Sequence, residues 1–495
     1  VDCDYLEQLD DIHQWSLYVA REALRDSGYL EQVDVLNRCG VVLGNLSFPT
    51  KTSNQLCIPI YHNAIQKQLN AKVPDPGISF HNKTPDQVHL DNLRIGGYPA
   101  MLIQQALRLS NIAFSIDSAC ATSLYSIKLA IDYLEAGKAD MMLAGAVSAA
   151  DPFFISTGFS IFQAYSDKDL SCPLDKRSGG LTSGEGAGMV LLKRYAAAVR
   201  DNDQIYAVIE GVGLSNDGSG KFILVPSSEG QVLALNRAYE MSGVKTSEVS
   251  YIECHATGTP VGDKAEMQTL DTVFQESPEP PLVGSVKSSI GHLLTAAGMA
   301  SLIKIILSMN KGTIPATIHV KEPIASPGNI INSDKVIAEN RTFPEGENKY
   351  AAINAFGFGG TNAHLILGAA VKQTSLKLEN NQLTPPNQRL AIIGMSAYFG
   401  GEQDLNQLNY NIFNGLLGDY QQPGKRWFDF GSDTKKGLYY NSIEMDFRYF
   451  KIPPFEISTL LPQQMLVLKT ADAALKDADA EKGINAGVII AMEPD

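Results

Sequence analysis

The chain has 495 residues, 44% of them hydrophobic and 19% charged, with a net charge of −14. That length holds more than one core, the composition is that of a folded globular protein, and the acidic balance excludes a nucleic-acid binder, which needs clustered Lys and Arg. No apolar run reaches the roughly 18–20 residues of a membrane span. Cys3, Cys39, Cys57, Cys120, Cys172 and Cys254 include no CxxC pair, which points to reduced thiols in a cytoplasmic protein without a structural metal site.

Taken in order, Trp15 to Asp26 has the spacing of an amphipathic helix, and Gly40 to Gly44 reads as a buried strand. Asn111 to Ile116 reads as a second strand. Leu124, Ile127, Ile131 and Leu134 then recur at helical spacing up to Gly137. Between them lies Asp117-Ser118-Ala119-Cys120-Ala121-Thr122-Ser123. A thiol at that junction meets the positive end of the helix and its unpaired N–H groups, which favour the thiolate. A packed, inert cysteine is the alternative reading.

Val249 to Cys254 is strand-like and leads to His255 in a Thr/Gly/Pro loop. Such loops display site residues in α/β folds. Asp263 is then expected as a helix N-cap, with Glu266 at N3 completing a capping-box-like pair. Val283 opens another strand, followed by a loop carrying Lys287 and His292 and by a helix from Leu293 to Met309. Lys287 is either a solvated lysine or a charge beside the site. Asn354 to His364 contains the glycine-rich Gly357-Phe358-Gly359-Gly360 between two strand-like runs. With no helix following at once, a hairpin lending backbone N–H groups fits better than a phosphate loop, and His364 reads as structural.

A cysteine protease needs only one histidine, and a zinc site needs closer ligand spacing. One cysteine with two histidines suits carbon–carbon bond formation through a thioester. The cysteine would hold an acyl group while two imidazoles stabilise an enolate oxygen.

Residues 369–388 are polar, contain Pro385-Pro386 and read as a linker. Leu390 to Met395 then reads as an apolar strand. Leu466 to Asp477 then repeats the pattern of Trp15 to Asp26, including Ala-Leu-(Arg/Lys)-Asp, and Gly487 to Ala491 repeats the strand after it. This repeat implies a duplicated domain. The expectation is therefore an N-terminally truncated domain over 1–368 and the N-terminal part of a second over 389–495.

Four segments in order, Asp117–Ser123, Glu253–Asp263, Lys287–Gly298 and Asn354–Asn362, resemble the β-ketoacyl synthases of fatty acid and polyketide synthesis. The resemblance covers nearly all of 1–368 and implies a thiolase-like, five-layer αβαβα fold working as a dimer. It implies Cys120 as acyl-accepting nucleophile, with His255 and His292 for decarboxylation and condensation. It further implies Lys287 as the lysine five residues before the second histidine, and Thr257 and Thr259 beside the phosphopantetheine arm of an acyl carrier protein. Phe358 matches the gating phenylalanine, whose N–H joins that of Cys120 in an oxyanion hole. The acidic total leaves room for a local basic patch that would meet the carrier. Where some bacterial members carry Glu nine residues after the second histidine, Ser301 stands here, which leaves the charge partner of Lys287 open.

Ala391 to Met395 with Phe399-Gly400-Gly401, and Phe455 to Gln464, are similar to the opening of another such domain. Two domains joined this way resemble the ketosynthase–chain-length-factor pair of polyunsaturated fatty acid synthases. A ketosynthase of a modular polyketide or secondary-lipid synthase is the alternative. For residues 389–495, a tunnel-shaping or scaffold role is expected, with no nucleophile required, and the chain alone is expected to lack part of a core needed for activity.

Overall fold

Two mixed sheets with helices inside and outside them position everything that follows. The computed structural model describes the chain apart from residues 74–76, 78–87, 167–169, 219–224, 345–349, 371–389, 400–403, 417–436, 439, 441–442, 481–485 and 493–495. Most of the expected linker lies outside the described residues. Those before and after it form two compact units.

The first unit contains β1 Cys39–Asn45, β2 Ala113–Ile116, β3 Met141–Ser148, β4 Gly186–Lys193, β5 Ala207–Asn216, β6 Val249–Glu253, β7 Leu282–Gly284, β8 Thr313–Ile314, β9 Arg341–Thr342, β10 Tyr350–Gly357 and β11 Thr361–Ala369. One sheet has the order β2-β1-β3-β4 and the other β5-β11-β10-β6-β7, while β8 and β9 form a small ribbon. β1 runs parallel to β2 and β3, and β4 is antiparallel to β3. In the second sheet β6 runs parallel to β7 and β10, and β11 is antiparallel to β10 and β5. The two sheets therefore share one pattern: β2, β1, β3 and β4 correspond to β7, β6, β10 and β11. β5 has no counterpart.

β1 and β3 are buried along their whole length, which is why they read as continuous apolar runs rather than alternating ones. Val42 faces inward, onto a core shared by both sheets and by the helices Thr122–Glu135 and Ala297–Lys311. Leu124, Ile127, Leu302 and Ile305 fill this middle layer against Ile353 and Leu365. Val41 and Leu43 point the other way, onto Ile12, Ala20 and Leu24 of the helix Asp11–Asp26. On the far side, Ile252, Ala352 and Ile366 meet Leu235, Leu270 and Phe274. The result is the five-layer αβαβα arrangement expected.

In the second unit, helices span Leu405–Asn414 and Pro462–Asp477. The latter matches Asp11–Asp26 in length, so the helical half of the repeat is present. The strand half is not. Leu390–Met395 and Gly487–Ala491 carry no ladder, and Leu390, Ile392 and Ile489 are at least 90% exposed. A strand is held by its neighbours' N–H and C=O groups, and among the described residues of this unit no multi-residue strand is available to pair with them.

Leu124, fully buried between the two sheets, tests the middle layer. Leu124→Ala should cost about 2–5 kcal/mol, seen as a lowered denaturant midpoint for the first unit. An unchanged midpoint would mean the layer is not packed as described.

Candidate active site

Cys120 sits in a single 3₁₀ turn, Ala119–Ala121, between β2 and the helix Thr122–Glu135. Ala119 has φ +50°, a left-handed conformation that costs a residue with a Cβ about 1–3 kcal/mol. Local hydrogen bonds hold it there. Ala119 N donates to Asp117 Oδ1 at 2.8 Å and Ser118 N to Thr122 Oγ1 at 2.8 Å. From the β10–β11 hairpin, Thr361 Oγ1 donates to the Ser118 carbonyl at 2.8 Å. The hairpin approaches so closely that a Cβ on Gly357 would lie 2.9 Å from that same carbonyl oxygen.

His292 occupies the corresponding junction of the other half, after β7 and before a 3₁₀ turn, Leu294–Ala296, and the helix Ala297–Lys311. Its N donates to Thr182 O at 2.7 Å and its carbonyl accepts from Gly184 N at 2.9 Å. His292 Nε2 lies 3.1 Å from Cys120 Sγ. His255, two residues beyond β6, stands edge-on to His292 with ring centroids 5.3 Å apart.

Cys120, His255, His292, Thr257, Thr259 and Phe358 line one cleft of about 210 Å³. The Thr257 and Thr259 hydroxyls lie 3.0 Å apart within it. Phe358 packs on Phe159 and Phe162, with ring centroids 6.1 and 6.2 Å away. The N–H groups of Phe358 and of Cys120 itself act on the Cys120 sulfur to favour its charged form. Lys287 does not line the cleft; it is 2% exposed, an internal charge rather than a solvated one.

Electrostatics corrects one expectation. Burial pushes the Cys120 thiol up to about 12, against the opposing pull of the Lys287 charge and of the Phe358 N–H. Desolvation thus opposes the helix terminus and disfavours the thiolate. Burial, then Lys287, lowers His292 to about 3, and burial, Lys287 and His292 hold His255 well below its ordinary value. Burial thus disfavours the charged form of both imidazoles. Burial also lowers Lys287, while Glu253 and Glu266 oppose the shift. No carboxylate lies within ion-pair distance of Lys287 among the described residues, and the Ser301 hydroxyl is buried without a partner.

The helix expected to begin at Asp263 begins at Pro260 with Thr259 as N-cap. Proline at the first position fixes a helical φ and loses no needed N–H. Asp263 instead accepts from Leu174 N and Gly258 N, and burial raises it to about 7. Glu266 caps nothing in its own helix; its two oxygens accept from His255 N and Ala256 N at 2.8 and 2.7 Å. Asn354 Nδ2 donates to Glu266 at 2.8 Å, and Asn354 Oδ1 lies 2.6 Å from His364 Nδ1, so His364 is structural as expected. The stretch expected as a loop between β7 and His292 contains a short helix, Lys287–Ile290, and the long helix starts at Ala297 rather than Leu293.

Two αβα halves, with Cys120 and His292 on equivalent strand-to-helix junctions, define a thiolase-like condensing-enzyme fold. The chain belongs to the β-ketoacyl synthase family. The family's N-terminal domain matches residues 4–198 and again 387–494, its C-terminal domain 206–321, and the ketoacyl-synthetase C-terminal extension 332–399. One of the polyunsaturated fatty acid synthase subunits of Thraustochytrium sp. is 35% identical over 99% of this chain and 24% of its own length. One of the phenolphthiocerol/phthiocerol polyketide synthase subunits of Mycobacterium tuberculosis is 36% identical over 64% of this chain and 21% of its own length. Among solved structures, the PfaC keto synthase–chain length factor superposes with a TM-score of 0.89 at 45% identity, over 98% of this chain and 52% of that one. The chain thus spans about a quarter of the first relative and about half of the solved structure.

A buried thiol beside a neutral imidazole gives a definite pH dependence. Alkylation of Cys120 by iodoacetamide should rise about tenfold per pH unit between pH 7 and 9, because the thiolate fraction grows without saturating below the raised pKa. A plateau below pH 8, or an inflection near the ordinary imidazole value of about 6.5, would show a preformed thiolate–imidazolium pair.

Proposed function

We propose that residues 1–368 carry out decarboxylative Claisen condensation on carrier-bound thioesters in polyunsaturated fatty acid synthesis. The observation that supports this most is the 3.1 Å approach of His292 Nε2 to Cys120 Sγ with His255 beside it in the same cleft. Cys120 Sγ attacks an acyl thioester and passes its proton to neutral His292. The tetrahedral oxyanion sits between the N–H groups of Cys120 and Phe358. His292 returns the proton to the departing carrier thiolate, leaving acyl-Cys120. A malonyl thioester then enters past Thr257 and Thr259, which flank the phosphopantetheine arm of an acyl carrier protein. Its carboxylate leaves as carbon dioxide while His255 donates to the enolate oxygen, as does His292 once solvent has moved its proton from Nδ1 to Nε2. The enolate carbon attacks the acyl-Cys120 carbonyl and expels the sulfur, which regains a proton from solvent. The product is a 3-ketoacyl thioester two carbons longer.

Residues 389–495 are proposed as the start of a second, chain-length-factor-like domain after the linker at 369–388. The second match of the family's N-terminal domain supports this, as does the coverage of this chain by a keto synthase–chain length factor structure. Its partner would be the first domain, in a pseudo-dimer. The six cysteines are unpaired, as in a reducing cytoplasmic compartment, which is the location proposed. A modular polyketide ketosynthase is the second reading, favoured by the 36% identity to part of a polyketide synthase.

Cys120→Ala should abolish covalent labelling by an acyl thioester, read by intact mass and peptide mapping; label persisting on another residue would overturn the assignment. His255→Ala should still load the acyl group yet release carbon dioxide from malonyl thioester about 10²–10³-fold more slowly. Unchanged release would remove His255 from the reaction.

A further inference from the structure

One buried charged cluster takes no part in these steps. Glu253, the last residue of β6, is fully buried. Its Oε1 accepts from the backbone N–H of Val286 at 2.5 Å, and its Oε2 accepts from the Tyr251 hydroxyl at 2.5 Å and from Lys304 Nζ at 2.7 Å. Lys304 Nζ also donates to the Tyr251 oxygen at 2.9 Å. Tyr251 is fully buried, and Lys304, on the helix Ala297–Lys311, is 8% exposed. The Tyr251 hydroxyl crosses the end of β7 where Gly284 leaves room; a Cβ there would come within 2.8 Å of it.

A buried ion pair stabilises a fold little more than apolar residues of the same volume would. What this one does is join three elements that carry the site. Glu253 is two residues from His255, Val286 immediately precedes Lys287, and Lys304 lies on the helix that follows His292. Cys120 and the Phe358 N–H stand on other elements, and neither touches the cluster.

Building on the condensing reading, we propose that Lys304 is a positioning residue for the malonyl half of the reaction. It holds Glu253 so that the carboxylate fixes the Val286–Lys287 turn. The end of β6 and the turn beside it are thereby kept where His255, which takes no part in loading, meets the malonyl thioester. Loading of Cys120 does not depend on it.

The test compares Lys304→Met, Lys304→Arg and Tyr251→Phe by two separate readouts on the same protein. One is the rate of Cys120 acylation by an acyl thioester, and the other is carbon dioxide release from a malonyl thioester. Lys304→Met should keep acylation within about threefold and lower kcat for carbon dioxide release about tenfold or more, with KM little changed. Lys304→Arg should recover most of that loss. If the methionine variant does not fold, Tyr251→Phe, which removes one donor and keeps the ring, should show the same one-sided loss at about threefold. Equal losses in both readouts, or carbon dioxide release at the parental rate, would overturn the positioning role. A parental protein that never loads Cys120 would instead overturn the condensing reading, and this proposal with it.

Discussion

The hydrogen bond from the Ser123 hydroxyl to the Thr295 carbonyl joins the two halves of the first unit where its chemistry is placed. Ser123 lies three residues after Cys120 and Thr295 three residues after His292, so the bond ties two corresponding helix starts together. Gly298 makes the crossing close enough, since a Cβ there would sit 3.0 Å from that of Ser123. Thr295 Oγ1 in turn donates to Val147 O at 2.5 Å, anchoring the crossing to β3. Sulfur and imidazole meet because the helix ends that carry them are locked to each other.

Placing those groups at a crossing in the middle layer also sets their charge. Burial disfavours the charged form of both even though each stands near a helix N-terminus. Lys287 lies buried behind the cleft rather than in it, and that burial lowers its pKa against the pull of Glu253 and Glu266. Carboxylates are used as backbone acceptors: Glu266 holds the His255 loop, Asp263 the Gly258 turn and Glu253 the Val286 turn. Each fixes a peptide next to a site residue, and Asp263 and Glu266 also line the cleft.

Much of this was legible in the sequence. The strand-to-helix junctions at Cys120 and His292 show as changes of apolar period, and the hairpin around Phe358 shows in its glycines. Cys120, His255, His292, Thr257, Thr259 and Phe358 each stand out in the sequence and share one cleft, with Lys287 behind it. What was missed depends on contacts distant in sequence. Glu266 has the spacing of a capping box from Asp263, but Pro260 starts the helix earlier and frees the side chain for the His255 loop. The pull toward a thiolate expected from local position is opposed by burial, which is set by two helices and a hairpin far apart in the chain and is not a local property. Leu390–Met395 and Gly487–Ala491 have strand composition, yet strands form only where a neighbour supplies the other half of the ladder. Lys304 reads as an ordinary helical lysine until Glu253 is seen facing it across 51 residues.

The charge state of Cys120 and His292 at rest can be observed directly. Infrared difference spectra between the protein and its Cys120→Ala variant report the S–H stretch, and nitrogen chemical shifts of His292 report whether its ring is charged. An S–H band assigned to Cys120 at pH 7, with His292 shifts of a neutral imidazole, is the predicted result. Absence of that band together with imidazolium shifts would contradict it and show that the helix termini, not burial, control the charge of the pair.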